Sequence, residues 1–218
     1  NNDDQLTRPY VLNASLYARN ADSMAEAHRI FSDYQDRLEQ LSADVRELVL
    51  KNEVQNYGND ELFEKLIKAY QDTADASFKQ DIRGALPNTT DPATIKKIIA
   101  LYENASVIKP QDLRAWYRGV LANDAGQQAA WDWLRTDWQW LNDTVGGDME
   151  FATFITVTAG VFHTPERLAE FKDFFEPKIN TPGLTREIKM DIKIIESKVA
   201  LIDSEKAAIN ATIAKSLD

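Results

Sequence analysis

The chain contains no cysteine, which excludes disulfides, thiol nucleophiles and cysteine-based zinc sites. Glycine and proline are scarce, eight and seven in 218 residues, so the chain is not low-complexity. The few glycines build neither GxGxxG nor a P-loop. A basic excess is also missing: the net charge of −10 argues against a nucleic-acid partner, which needs a basic face. No apolar run approaches the length of a bilayer span, and the opening residues do not read as a signal peptide, so no membrane partner is expected. Histidine occurs twice, at His28 and His163, without a second histidine at metal spacing and without HExxH. The serine motifs GxSxG and SxxK are absent as well. No catalytic residue, metal ligand or cofactor is therefore expected within this chain.

What is present is helical periodicity. "DSMAEAHRIFSDYQDRLEQL" opens on a cap at Asp22 or Ser23 and places Met24, Ala27, Ile30, Phe31, Tyr34, Leu38 and Leu41 on one stripe. "SADVRELVLKNEVQNYG" starts at Ser42, stops at Gly58 and carries Val45, Leu48, Val49 and Val54 as its apolar side. "NDELFEKLIKAYQDT" repeats the spacing with Leu62, Phe63, Leu66, Ile67 and Tyr70. Asp91-Pro92 and Thr164-Pro165 each read as a cap followed by proline at the first helical position. Pro87, Pro110, Gly146-Gly147 and Pro182-Gly183 fall between the periodic runs. "FATFITVTAGVF" (151–162) is β-branched enough for a strand, but a lone strand has no partner here, so it is read as a buried helix. The expected fold is all-α, an irregular α-solenoid of antiparallel helix pairs in the manner of HEAT or armadillo arrays. About ten or eleven helices are expected, forming a single helical-repeat domain over residues 1–218.

"QQAAWDWLRTDWQWL" holds Trp131, Trp133, Trp138 and Trp140 within ten positions. Read as one helix, it puts Trp131, Leu134, Trp138 and Leu141 on one side and Trp133 and Trp140 nearly opposite. Two apolar faces mark a helix sandwiched between neighbours, so these rings are read as core.

"DLRAWYRGVLAN" sets Arg114 and Arg118 four apart beside Trp116 and Tyr117. The arginine stems either pack on rings at an exposed face or point into a concavity that receives an anion such as a peptide carboxylate. His28 reads as a half-buried helix position and His163 as a polar cap. The abundant carboxylates read as solvated helix faces. N-x-[ST] sequons at Asn13, Asn88, Asn104, Asn142 and Asn210 are treated as mostly incidental, since at least two lie inside predicted helices.

"QDLRAWYRGVLANDAGQQAAWDWLRTDWQWL" resembles the C-terminal helical domain of the zinc aminopeptidases related to aminopeptidase N and the endoplasmic-reticulum aminopeptidases. The family pattern of QD, a short helix, Gly, then AW-x-x-[LF]-x-x-x-W falls on Gln111, Asp112, Gly126, Ala130, Trp131, Leu134 and Trp138. "NDELFEKLIKAYQDT", "GALPNTTDPATIKKII" and "FHTPERLAEFKDFF" match further family segments in order, and the similarity runs from about residue 8 to past 200. The resemblance implies a domain that closes over an active site, forms part of a substrate cavity and limits peptide access. Zinc, HExxH and the GAMEN motif lie in other domains of the family, so no catalytic residue carries over to this chain. The implied partners are the N-terminal and catalytic domains of the same chain and a peptide substrate. Arg114 and Arg118 are the cavity candidates.

The start, "NNDDQLTRPYVL", lacks an initiator methionine and reads as a processed end, a tag scar or a piece cut from a longer polypeptide; the expectation is an excised domain. The missing cysteines suggest a bacterial, cytoplasmic member. A free-standing helical-repeat scaffold binding a partner protein on its concave face is the alternative. An autonomous enzyme is the weakest of the three readings.

Overall fold

A computed structural model of the chain describes residues 2–147 and 151–217. Among the described residues there are twelve α-helices, three short 3-10 turns and no strand, so the all-α expectation holds. The β-branched run at 151–162 is helical over Thr153–Val161, with Phe154, Ile155, Thr158 and Ala159 buried. Two compact units are distinguished, Asn1–Ala130 and Trp131–Asp218.

The first unit carries α1 (Asn2–Tyr17), α2 (Ala21–Tyr34), α3 (Ala43–Tyr57), α4 (Asp60–Asp72), α5 (Ala76–Ala85), α6 (Pro92–Ala100) and α7 (Pro110–Leu121). Side-chain oxygens start several of them. Asn59 accepts from Leu62 N at 2.9 Å, and Asp91 accepts from Thr94 N at 2.8 Å with Pro92 in the first turn. Each such cap stabilises its helix by about 1 kcal/mol. The start of α2 differs from expectation: Asn20, not Asp22 or Ser23, is the cap, because its Oδ1 takes the Ser23 amide at 2.9 Å.

Helix α3 packs against α1, α2 and α5. It therefore buries more than one stripe: Val45, Val49, Leu50 and Val54, and also the polar Arg46, Asn52 and Glu53. Leu48, expected among the core residues, is only half-buried.

The contact between α3 and α5 is organised by Arg46, which is 3% exposed. Its Nε donates to Asp81 Oδ2 at 2.5 Å, Nη1 to the Glu39 carbonyl at 2.8 Å and Nη2 to Ser77 Oγ at 3.1 Å. Asp75, which caps α5 through the Ser77 amide, lies 3.6 Å from Nη2. The guanidinium also sits 4.9 Å from the Phe78 ring centre. Burial pushes the Asp81 carboxyl above its ordinary range, while Arg46 pulls it back and Asp75 adds to the rise. Glu47, one residue along, is raised chiefly by burial and secondarily by Asp81. A side chain at Gly84 would meet that carboxyl at 2.6 Å, so a larger residue there would have to push the Glu47 side chain aside.

The second unit contains the end of α8 (Gln127–Thr136), then α9 (Trp138–Val145), α10 (Thr153–Val161), α11 (Pro165–Phe175) and α12 (Thr185–Leu217). The tryptophan run is two helices rather than the expected one. At Asp137 the backbone leaves helical values for φ −104°, ψ 19°, and α9 begins anew at Trp138. The break keeps the expected partnership of Trp131 and Trp138: both rings meet Phe174 and Phe175 at 5.5–6.0 Å. Phe162 and Phe151 add edge and tilted contacts at 5.3 and 4.9 Å. Trp131 is fully buried, Trp133 nearly so, and Trp138 and Trp140 are half-buried. Trp131 and Trp133 are core, as expected, while Trp138 and Trp140 are so only in part. Offset and edge-on geometry adds about 0.5–1.5 kcal/mol per pair beyond area burial.

Helix α12 packs on α10 and α11 through Leu184, Ile188 and Ile195 near its start. Between them Asp191 is fully buried. Its Oδ2 accepts from Thr156 Oγ1 at 3.0 Å, whereas Oδ1 is buried without a hydrogen-bond partner. Burial pushes this carboxyl up, Thr156 opposes the rise and Glu187 adds to it. Lys198 closes the end of α10 by donating to the Ala159 and Gly160 carbonyls at 2.9 and 2.7 Å.

Arg46→Ala leaves the buried Asp81 carboxylate without its donor, and the expected loss is about 3–5 kcal/mol in urea unfolding. The apolar pair Arg46→Met with Asp81→Leu restores most of that stability, because no buried charge is then left uncompensated. A loss under about 1 kcal/mol for Arg46→Ala would place the α3–α5 adhesion in the apolar contacts alone.

Candidate functional site

The first unit holds a cleft of about 500 Å³, within the roughly 300–1,000 Å³ usual for ligand sites. Its walls come from α1, α3, the chain after α5 and the loop after α7. The lining is dominated by carboxamides: Asn13, Asn52, Gln55, Asn56, Asn88 and Asn123. Lys51, Arg19 and Asp124 are the charged groups among them.

Local folding explains why these side chains are held. Asn88 ends α5 by donating Nδ2 to the Gly84 and Ala85 carbonyls at 2.7 and 3.1 Å. Asn123 reaches across from the end of α7 and donates Nδ2 to the Pro87 and Thr89 carbonyls at 2.8 and 2.7 Å. The approach of α7 is close, since a side chain at Gly119 would meet Pro87 at 2.8 Å. On α3, Asn52 donates to the Met24 carbonyl at 3.2 Å, and Asn56 donates to Asn52 Oδ1 and to its carbonyl, each at 3.0 Å. Arg19, at the α1–α2 junction, is the one non-glycine among the described residues with positive φ, +56°.

The arginines singled out in the sequence lie elsewhere. Arg114 and Arg118 sit one turn apart on α7, half-buried and exposed respectively, and neither lines the cleft. Their aromatic neighbours are core: Trp116 and Tyr117 are fully buried. The Trp116 ring meets Tyr70 edge-on at 5.4 Å, and its carbonyl accepts from Tyr102 Oη at 3.2 Å. Thus the rings anchor α7 and the arginines take another side of it.

The two histidines lie in separate local settings. His28 Nδ1 lies 2.8 Å from Glu53 Oε2, and its ring stacks on Tyr57 at 3.9 Å. His163 is exposed, with Nδ1 2.8 Å from the Val161 carbonyl. Among the described residues no three His, Asp or Glu side chains come together as a metal site, so these residues do not fit a zinc ion. No helix among them is long and apolar enough to cross a membrane. Of the sequons, Asn13, Asn142 and Asn210 lie within α-helices, and Asn88 spends its amide on the end of α5.

The sequence analysis did not single out Asn52, Asn56 or Asn123. Asn88 entered only as a sequon, although its position just after a helix and a proline fits a helix-ending amide.

Residues 1–197 match the family model described as the ERAP1-like C-terminal domain. The chain is 65% identical over 216 residues to an aminopeptidase N of Lactobacillus helveticus, covering 99% of this chain and 26% of that protein. An aminopeptidase N of Lactobacillus delbrueckii subsp. lactis is 55% identical over 215 residues, again over 99% of this chain and 26% of the relative. A glutamyl aminopeptidase of Sus scrofa is 27% identical over 179 residues, 80% of this chain and 19% of that protein. The chain thus spans about a quarter of the length of the bacterial relatives it matches.

Asn123→Ala strips two backbone carbonyls of their donor, and it is expected to destabilise the chain by about 1–3 kcal/mol in urea unfolding. A change below about 0.3 kcal/mol would mean that water replaces the amide at no cost and that Asn123 does not hold the cleft floor.

Proposed function

The chain belongs to the ERAP1-like C-terminal domain family, and from that premise we propose that it works as the non-catalytic C-terminal domain of a bacterial zinc-dependent aminopeptidase. The observation that carries this reading is the alignment of 99% of the chain with a quarter of two aminopeptidase N proteins. The parent protein removes N-terminal residues from peptides in the cytoplasm. Its zinc and catalytic residues lie in other domains of the same chain, which are the direct partners of this one. The chain acts as a helical-repeat domain that closes the substrate cavity and limits the entry of long peptides.

Closure acts on the reaction by excluding water and holding the peptide while chemistry proceeds elsewhere in the protein. Arg114 and Arg118 face that cavity and take an anionic group of the peptide through charge-assisted hydrogen bonds. The exposure of Arg118 and the anchoring of α7 by buried Trp116 and Tyr117 support this role. The arginines can change without disturbing the core.

In the longer protein, Arg114→Ala with Arg118→Ala is expected to raise KM for peptides by about tenfold, the scale of one charge-assisted hydrogen bond, with kcat within about twofold. Circular dichroism should show the helical content intact. Unchanged kinetics across all peptide lengths would remove both arginines from the cavity.

A further inference from the structure

We propose that the carboxamide-lined cleft of the first unit is a subsite for the main chain of an extended peptide. The inference rests on the peptide-handling role above, and it assigns that role to a place distinct from Arg114 and Arg118.

Hydrogen-bond direction identifies the ligand. Backbone carbonyls only accept, so their contacts with Asn52, Asn56, Asn88 and Asn123 fix each of these amides with its nitrogen on the protein. Asn56, Asn88 and Asn123 each spend both amide hydrogens in this way, so what they still offer is the oxygen. Asn123 Oδ1 is already engaged by the Ala125 amide at 3.2 Å, and Asn52 Oδ1 by Asn56. Asn56 and Asn88 both line the cleft, and their Oδ1 atoms call for N–H donors. Lys51 and Arg19 supply the opposite function in the same cleft, cationic donors for carbonyl oxygens. A ligand presenting N–H and C=O groups in alternation is a peptide main chain. Recognition of this kind is indifferent to side-chain identity, as a protein acting on many peptides requires.

Arg19 adds an independent observation. Its φ of +56° belongs to the left-handed region that glycine or asparagine normally occupies after a helix. The turn bonds Arg19 N→Leu16 O and Asn20 N→Ser15 O, both 3.0 Å, close α1 without any need for this side chain. Arginine is disfavoured there by its backbone, yet it lines the cleft. The position is therefore held for what its side chain does.

The test is a titration of the 218-residue chain, followed through its Asn and Gln side-chain amide resonances, with an acetylated and amidated tetra-alanine. A second titration uses the same peptide N-methylated at its backbone nitrogens. The account predicts saturable shifts at Asn56 and Asn88 with the first peptide and at least tenfold weaker binding of the second, which has lost its backbone N–H donors and keeps only those of the terminal carboxamide. Asn56→Ala is expected to weaken the first peptide about fivefold. Arg19→Gly should weaken it similarly without lowering the melting temperature, since glycine accepts the same backbone angle. Absence of saturable shifts, equal binding of the two peptides, or unchanged affinity in Arg19→Gly would each overturn the proposal. No catalytic step enters the measurement, so a longer protein without aminopeptidase activity would sink the enzymatic reading and leave this result standing.

Discussion

A guanidinium buried between α3 and α5 is the constraint on which the first unit depends. Arg46 brings α5, the turn after α2 and the start of α3 to one point through three hydrogen bonds. A single charge taken out of water this completely is costly unless every donor finds a partner. The acceptors come from one later segment, α5, and one earlier one, the turn after α2, so the helices must arrive in one arrangement to satisfy it. With α3 and α5 set, Asn52 and Asn56 on the first and Asn88 at the end of the second form facing walls of the cleft. Asn123 then ties α7 to that same end of α5. The cleft is thus a consequence of the clamp.

The second unit is held differently. Its centre is a group of aromatic rings from α8, α9 and α11 joined by Phe151 and Phe162, with ring-centre distances between 4.6 and 6.0 Å. Packing outweighs hydrogen bonding there, since the Trp131 Nε1 is buried without a hydrogen-bond partner. Asp191 is the comparable case on α12, a buried carboxyl satisfied on one oxygen.

Much of this fold is legible in the sequence because helical periodicity and capping act over a few residues. Asp91-Pro92 and Thr164-Pro165 start helices as read, and the β-branched 151–162 run is helical because no strand is at hand to pair with it. The break at Asp137 is not legible, since the run carries neither glycine nor proline and the tryptophans keep helical spacing across it. Nor is Arg46 legible: on α3 it sits among charged residues and looks solvated until Asp81, Glu39 and Ser77 are brought to it. The cleft fails for the same reason. Its carboxamides are dispersed from Asn13 to Asn123, and only their hydrogen bonds to backbone carbonyls bring them together. The arginines of α7 were conspicuous because Trp116 and Tyr117 stand beside them, yet those rings turn inward as core.

Under the proposed function, this domain governs which peptides reach a catalytic centre elsewhere in the same protein. The most direct test is the hydrolysis of a peptide series of increasing length by the longer protein, intact and with this domain removed. Tethering and closure predict that the intact protein discriminates by length, and that the truncated one, where its remaining domains stay folded, loses that discrimination. An identical length profile in both would contradict the account and leave the domain without a part in substrate selection.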